Sequence, residues 1–417
     1  MLRSDDIYIN ALKNVLKKAA YSFSMMQLHG TGAFQDPWGD FAGMKKALEE
    51  GCYGCPAALS LLHLGIPADE KQLEKEVGKE NIQDLLSSGL WFRLPDGRIG
   101  TDNYTVIMYQ SLYLVVDINP SFPSCTRPMT DVYIGSDSLR LAENVVWDRD
   151  AEILDLCSGS GIQGLLAARS GGRVVCVELN EKALPVIKFN AALNGLADRM
   201  EIRAGNLYDA LQEGETFDYI YANPPFLPLP DHVKYPMCGA GGRDGLKVLK
   251  EIVRGLASHL KPDGEAYIFC ESLGNEKMVF FDSFLNDRAR ENGLTAEECR
   301  YNRISTEDQL KSMVWLAEGF DRDLDREAFI NEMRGIYRDL GAEYLYSLLY
   351  RISRTGEKDE NAGGSTSFSG EGNRTDQAER AGIRCIFDHC PPEDSELDLE
   401  LAESILRKML EAGKQKG

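Results

Sequence analysis

The apolar and polar positions of this chain keep a helical period up to about residue 108 and then take up the alternation of an α/β fold. Leu12, Val15, Leu16, Ala19 and Ala20 fall on one helix face, with Lys13, Lys17 and Lys18 opposite. Met25-Met26-Gln27-Leu28-His29 follows and leads into a turn-rich stretch over 30–40, where His29 reads as a capping or surface residue rather than a ligand. From Pro56 the pattern predicts a helix through Leu64 that stops at Gly65, a second from Pro67 through Val77, and a third over Asn81–Ser88. Leu90 to Ile99 predicts a hairpin with Asp96-Gly97 at its turn. Three helices and a β-wing suggest a winged-helix-like module. The third helix region carries Glu80 and Asp84 and no Lys/Arg cluster, so it reads as a covering or dimerising module rather than a DNA reader.

Leu112–Asp117 predicts a strand, and Asp131–Ala142 turns from strand into helix, with Ser136 or Asp137 as its N-cap. Beyond residue 151 short apolar runs at Ile153–Leu156, Val174–Glu178, Met200–Asn206, Phe217–Ala222 and Gly264–Cys270 alternate with helical patterns. That alternation predicts an α/β, doubly wound, mostly parallel sheet with right-handed crossovers. Residues 275–340 read as helix-rich, with Phe280, Phe281, Phe284 and Leu285 on a core face. Glu343–Ile352 reads as a sixth strand and Ile383–Phe387 as a seventh, separated by a Gly- and Ser-rich excursion. An acidic stretch from Glu393 to Glu403 runs into a closing amphipathic helix. The expected organisation is a helical domain over 1–108, a connecting strand and helix over 109–150, and the α/β domain over 151–417. A helical insert near 300–340 and a flexible loop near 355–381 decorate that last domain.

Composition narrows the function. The 417 residues carry a formal net charge of −20, with 43% hydrophobic and 9% aromatic residues. An acidic chain of this kind is a poor match for a phosphate backbone, whose binding needs clustered Lys and Arg. Ten scattered cysteines point to reduced thiols in a cytoplasm, and Cys52-Tyr53-Gly54-Cys55 lacks the second pair that a zinc site needs. No metal is expected. Neither a secretory signal nor a run of about 20 apolar residues is visible, so no membrane association is expected.

The chemistry concentrates between Glu152 and Phe226. Gly159-Ser160-Gly161-Ile162-Gln163-Gly164 matches the G-x-G-x-x-G dinucleotide fingerprint, with Glu178 near the spacing of a ribose-binding acid. A nicotinamide-dependent oxidoreductase is therefore one reading. Asp155, four residues before Gly159, argues against it, because a carboxylate there repels a pyrophosphate but neutralises an ammonium. Asn223-Pro224-Pro225-Phe226 directly follows a strand. Two prolines fix the backbone, so the Asn223 side chain and nearby carbonyls can accept both hydrogens of a planar NH2 group, while Phe226 offers a flat apolar face. Cys157 has no histidine nearby in sequence and reads as a small packing residue rather than a nucleophile.

From about Asp131 to Cys270 these motifs, in this order, resemble a class I S-adenosylmethionine-dependent methyltransferase with a Rossmann-like seven-stranded sheet. Within that superfamily the chain is similar to the small-domain group, which includes release-factor glutamine and RNA N-methyltransferases. The resemblance implies S-adenosylmethionine as cofactor. It places Asp155 near the methionine ammonium, Cys157, Gly159 and Gly161 in the cofactor turn, Glu178 and Leu179 at the ribose and adenine, and Asn206-Leu207 at the adenine edge. Asn223, Pro224 and Phe226 then aim the acceptor nitrogen, while Tyr133, Asp137 and Pro225 are substrate contacts at the active-site entrance. A protein or small-molecule nitrogen is the expected acceptor, with an RNA base as the alternative; the oligomeric state stays open.

Overall fold

The computed structural model describes residues 2–29, 37–126, 131–146, 148–321, 323–354 and 367–368. Contacts divide the chain after Cys125. The first unit contains helices α1 (Asp6–Lys18), α2 (Tyr21–His29), α3 (Phe41–Glu50), α4 (Pro56–Leu64), α5 (Glu70–Val77) and α6 (Lys79–Ser88). Two hairpins follow, β1 (Trp91–Arg93) with β2 (Ile99–Thr101), and β3 (Tyr104–Tyr109) with β4 (Leu112–Asp117). The first turns at Asp96-Gly97, with Gly97 at φ +84°. The second turns at Gln110 and Ser111, both at positive φ. A hairpin turn of that kind favours Gly, Asn or Asp, so this one carried no recognisable signal, and the expected boundary after residue 108 falls inside it. His29 does not cap or face solvent: its Nε2 lies 3.0 Å from Nε2 of the buried His63. Cys52 is exposed, while Cys55 is buried and its thiol points at the Lys18 carbonyl.

The second unit holds α7 (Ser136–Ala142), β5 (Glu152–Leu156), α8 (Ile162–Ser170), β6 (Arg173–Glu178), α9 (Leu184–Leu193), β7 (Met200–Ala204), β8 (Phe217–Ala222), α10 (Lys247–His259) and β9 (Leu260–Gly274). It continues with α11 (Phe280–Asn292), β10 (Leu294–Ser305), α12 (Thr306–Phe320), α13 (Arg326–Leu340), β11 (Tyr344–Arg354) and the two-residue β12 (Ser367–Phe368). The sheet order is β12-β10-β11-β9-β8-β5-β6-β7. Pairings among β9, β8, β5, β6 and β7 are parallel, and β11 runs antiparallel between β9 and β10. This is the doubly wound sheet of seven substantial strands that the alternation predicts. Among the described residues the seventh strand is β10, within a stretch read as helix-rich; the strand expected at 383–387 lies outside the described residues. The sequence of β10 is mostly polar and half-exposed, so it carries little apolar alternation, and pairing with β11 decides its conformation.

The central strands β5 and β6 are short apolar runs because helices cover both faces; Ile153, Leu154 and Leu156 are fully buried. On α10, Leu249, Ile252, Val253 and Leu256 form the stripe that seals one face. The insert helices α12 and α13 bury Leu310, Met313, Val314, Phe329, Met333 and Ile336 in a second core shared with Leu273 of β9 and Leu345 of β11. The chain reverses its direction of sheet growth at β5, with β6 and β7 to one side and β8 and β9 to the other. Ligands of such sheets bind beyond the carboxyl ends of the strands at that switch point.

Candidate active site

Register brings the strand ends together. Leu156 pairs with Val177 on β6 and with Ala222 on β8, and Glu178 pairs with Ala204 on β7. The segments that follow these ends, around Cys157, Leu179, Asn206 and Asn223, therefore open on one rim although the sequence scatters them over 67 positions from 157 to 223.

The glycine turn after β5 is tied down by its own hydrogen bonds. Ser158 Oγ donates to the Asp155 carbonyl at 2.7 Å, and Gly161 N–H donates to the Ser158 carbonyl at 2.7 Å. Gly161 has φ +78°, a conformation that disfavours a side chain. Cys157 itself sits at φ +56°. Burial first, and then the Glu178 and Asp155 carboxyls, push its thiol far above the usual range. A thiol held protonated in this way is a weak nucleophile. No cluster of three or more His, Cys, Asp and Glu suited to a metal occurs among the described residues.

Asp155 is 1% exposed. Its Oδ2 accepts the Gly164 N–H at 3.1 Å, which is possible because α8 runs close over β5. A Cβ on Gly164 would lie 2.7 Å from Cys176 Sγ and 3.2 Å from Asp155 Oδ2. Burial raises the Asp155 carboxyl to about 7, Gly164 opposing and Glu178 adding to the shift. A buried acid so close to neutrality gains most from a cationic ligand.

Glu178 ends β6 with both oxygens engaged by backbone: Gly159 N–H at 2.7 Å and Asn180 N–H at 2.7 Å. Those bonds fix the carboxylate and leave a second lone-pair direction on each oxygen for a pair of hydroxyls. Leu179, next in the chain, is 53% exposed on this rim, and Leu207 is buried at φ +48° beside the exposed Asn206.

At the end of β8, Asn223 Nδ2 donates to Asp137 Oδ2 at 2.7 Å and to Ser138 Oγ at 3.2 Å. A carboxylate oxygen only accepts, so this pair fixes which side of the amide faces Asp137. Asn223 Oδ1, on the other side, is buried and has no hydrogen-bond partner among the described residues. Pro224 is buried behind it, Pro225 is half-buried, and the Phe226 ring packs 6.2 Å from that of Phe269 on β9. Helix α7 is anchored in turn by α8, whose Gln163 side chain donates to the Ser138 carbonyl at 3.0 Å.

One reading of this region needs correction. Neither Ser136 nor Asp137 caps α7; Gly135 is its N-cap, and the Asp137 side chain reaches across to Asn223 instead. Tyr133, on the segment leading into α7, is 38% exposed. Sequence reasoning missed Ser138, the packing role of Gly164 and the carboxyl of Glu271 on β9, whose Oε1 accepts the Ser347 hydroxyl at 2.8 Å. Nothing local marks Glu271: its neighbours come from α7, β11 and the loop after Phe226, all distant in sequence.

Comparison with known proteins gives this region a family. Residues 132–294 match the family model of the methyltransferase small domain. A ribosomal protein uL3 glutamine methyltransferase from Bordetella pertussis is 32% identical over 152 residues, which is 33% of this chain and 50% of that protein. A release factor glutamine methyltransferase from Clostridium acetobutylicum is 31% identical over 150 residues, 33% of this chain and 51% of that one. A Methanocaldococcus jannaschii protein provisionally named a protein N5-glutamine methyltransferase is 30% identical over 146 residues, 34% of this chain and 72% of its own length. The chain thus spans about half the length of the two bacterial relatives. No helix among the described residues is long and apolar enough to cross a membrane.

Proposed function

The chain belongs to the methyltransferase small-domain family, and on that premise we propose that it methylates an amide nitrogen with S-adenosylmethionine. The acceptor to which the relatives' names point is a protein glutamine side chain. The observation that carries this reading is the buried, unpartnered Asn223 Oδ1, locked in orientation by Asp137 and Ser138. A buried acceptor without a donor is costly, and a substrate N–H is the donor that the position suits.

The residues on the rim fit the cofactor. Asp155 suits the ammonium of its methionine part, the backbone-held Glu178 suits two ribose hydroxyls, and Leu179 with Asn206-Leu207 forms a half-apolar ledge for the adenine. When bound, S-adenosylmethionine supplies an electrophilic methyl on a sulfonium sulfur. What the chain contributes is alignment. Asn223 Oδ1 and the Pro224 carbonyl each accept one hydrogen of the acceptor NH2, which fixes the amide plane so that the nitrogen lone pair, perpendicular to it, is aimed at the methyl. Phe226 limits how that plane can tilt. Positioning of this kind accounts for much of the rate gain in a transfer that needs no strong acid.

Labelled S-adenosylmethionine added to a cell lysate, with the products separated into protein, RNA and small molecules, tests the reading. Label in protein released as N5-methylglutamine supports it. Label in RNA bases supports the alternative, and calorimetric binding of NAD without binding of S-adenosylhomocysteine would sink both. Asn223→Ala is expected to lower transfer by at least about 100-fold while S-adenosylhomocysteine still binds with near wild-type affinity.

A further inference from the structure

Strand β8 stops at Ala222, opposite Ile268, whereas β9 runs on to Gly274. The residues of β9 past Ile268 therefore wall the space in front of Asn223. Successive side chains alternate between the faces of a strand, so Phe269 and Glu271 share one. Phe269 touches Phe226, and also Tyr301, with ring centroids 6.1 Å apart. Tyr301 in turn lies under Arg140 of α7, the helix that carries Asp137. Glu271 thus projects on the face that holds the Asn223–Asp137 pair. The groups facing it are Asp137 from α7, Tyr235 from the loop after Phe226, and Ser347 from β11. Ser347 donates to one carboxyl oxygen and leaves the other available.

We propose that Glu271 is a further catalytic residue, the carboxylate that takes the proton lost by the acceptor nitrogen as it is methylated. This rests on the methyl-transfer reading above. The nitrogen lone pair forms the new N–C bond, and the C–S electron pair stays on sulfur, which leaves as a neutral thioether. The N–H pair stays on nitrogen, and the proton passes to Glu271, which then loses it to water. Asn223 Oδ1 and the Pro224 carbonyl accept hydrogen bonds but cannot hold a proton near neutral pH, so a separate acceptor completes the site. Burial raises the Glu271 carboxyl to about 7, with the Ser347 hydrogen bond opposing and Asp137 adding to the shift. A base of that strength is half ionised near neutral pH and returns its proton readily.

The test needs no acceptor. Sinefungin carries an amine where the transferred methyl sits, and S-adenosylhomocysteine carries nothing there; both share the methionine ammonium, so any titration of Asp155 cancels in the ratio of their affinities. With the intact chain, calorimetry is expected to show a preference for sinefungin that grows by about tenfold as pH rises from 6 to 8, because the ionised Glu271 attracts the amine. Glu271→Gln is expected to reduce that preference to the pH-independent part supplied by Asn223 Oδ1 and to abolish its pH dependence, while S-adenosylhomocysteine affinity stays unchanged. Ser347→Ala removes a bond that favours the ionised carboxylate, so the midpoint moves to higher pH while the plateau preference remains. A purely structural Glu271 would move neither quantity. A sinefungin preference that still grows with pH in Glu271→Gln overturns the proposal and leaves the methyl-transfer reading standing. Failure of the wild-type chain to bind either compound overturns both.

Discussion

Asp155 is buried at a cost to the unliganded chain. Its carboxyl is raised to about 7 by burial, so in the free protein near neutral pH it is partly protonated, and a bound ammonium draws it to the ionised form. Binding then releases protons, and affinity for S-adenosylhomocysteine is expected to rise with pH through about 7 and level off above it. Asp155→Asn removes the charge but keeps an oxygen for the Gly164 N–H. It is expected to weaken binding by about tenfold at pH 8 and to leave it flat with pH. Calorimetry in two buffers of different ionisation enthalpy reads both effects; wild-type binding with no proton release at pH 7 would count against the assignment. Legibility at this scale was uneven. Asp155, Glu178 and Asn223 were readable because each follows an apolar run at a strand end. Ser138 and Glu271 were not, since their partners arrive from other elements.

Among the elements, α8 shows how close packing sets the site. Gly164 sits inside the helix, where Ala is ordinarily favoured by about 1 kcal/mol. Here a Cβ would meet Cys176 Sγ at 2.7 Å, and overpacking of that kind costs about 1–3 kcal/mol. The clash is the larger effect, so Gly164→Ala is expected to lower stability by about 1–2 kcal/mol in urea melts. Combining it with Cys176→Ala is expected to recover most of that loss through a non-additive coupling. Simple additivity in that cycle would show that the contact is not the cause. β5, β6 and the Ala266–Cys270 part of β9 were readable because strands covered on both faces are apolar runs, whereas the edge strand β7, half polar and largely exposed, was readable from its place in the alternation. β10 did not, being half-exposed and polar, and neither did the β3–β4 turn at Gln110-Ser111. The N-cap of α7 was misplaced because Asp137, a good local cap, finds a better donor in Asn223.

For the molecule as a whole, buried carboxyls shape stability as well as binding. Asp155 and Glu271 are both raised to about 7 when folded, against about 4 when unfolded. A raised value means that the folded state holds these protons more tightly. Their stabilising contribution is therefore complete below about pH 4 and is lost as pH rises through about 7. Relative to the unliganded wild type, the double variant Asp155→Asn with Glu271→Gln is expected to gain little at pH 4.5. It is expected to gain about 1–4 kcal/mol at pH 8. Urea unfolding at the two pH values measures the difference, and an equal gain at both would contradict the linkage. The same exchange of stability for function is common at active sites.

The amino-acid order alone determined that this chain builds a doubly wound sheet and that Asp155, Glu178 and Asn223 stand at strand ends. Apolar runs, glycine turns and consecutive prolines act locally, so their consequences are written in short stretches. Only the tertiary structure decided that Asp137 turns from capping its helix to orienting Asn223, that Asn223 Oδ1 is left without a donor, and that Glu271 faces the same space. Each depends on side chains brought together by sheet register and helix packing from positions up to 210 residues apart, as between Asp137 and Ser347. Hydrogen bonding and desolvation answer to that spatial neighbourhood, which no single stretch of the sequence contains.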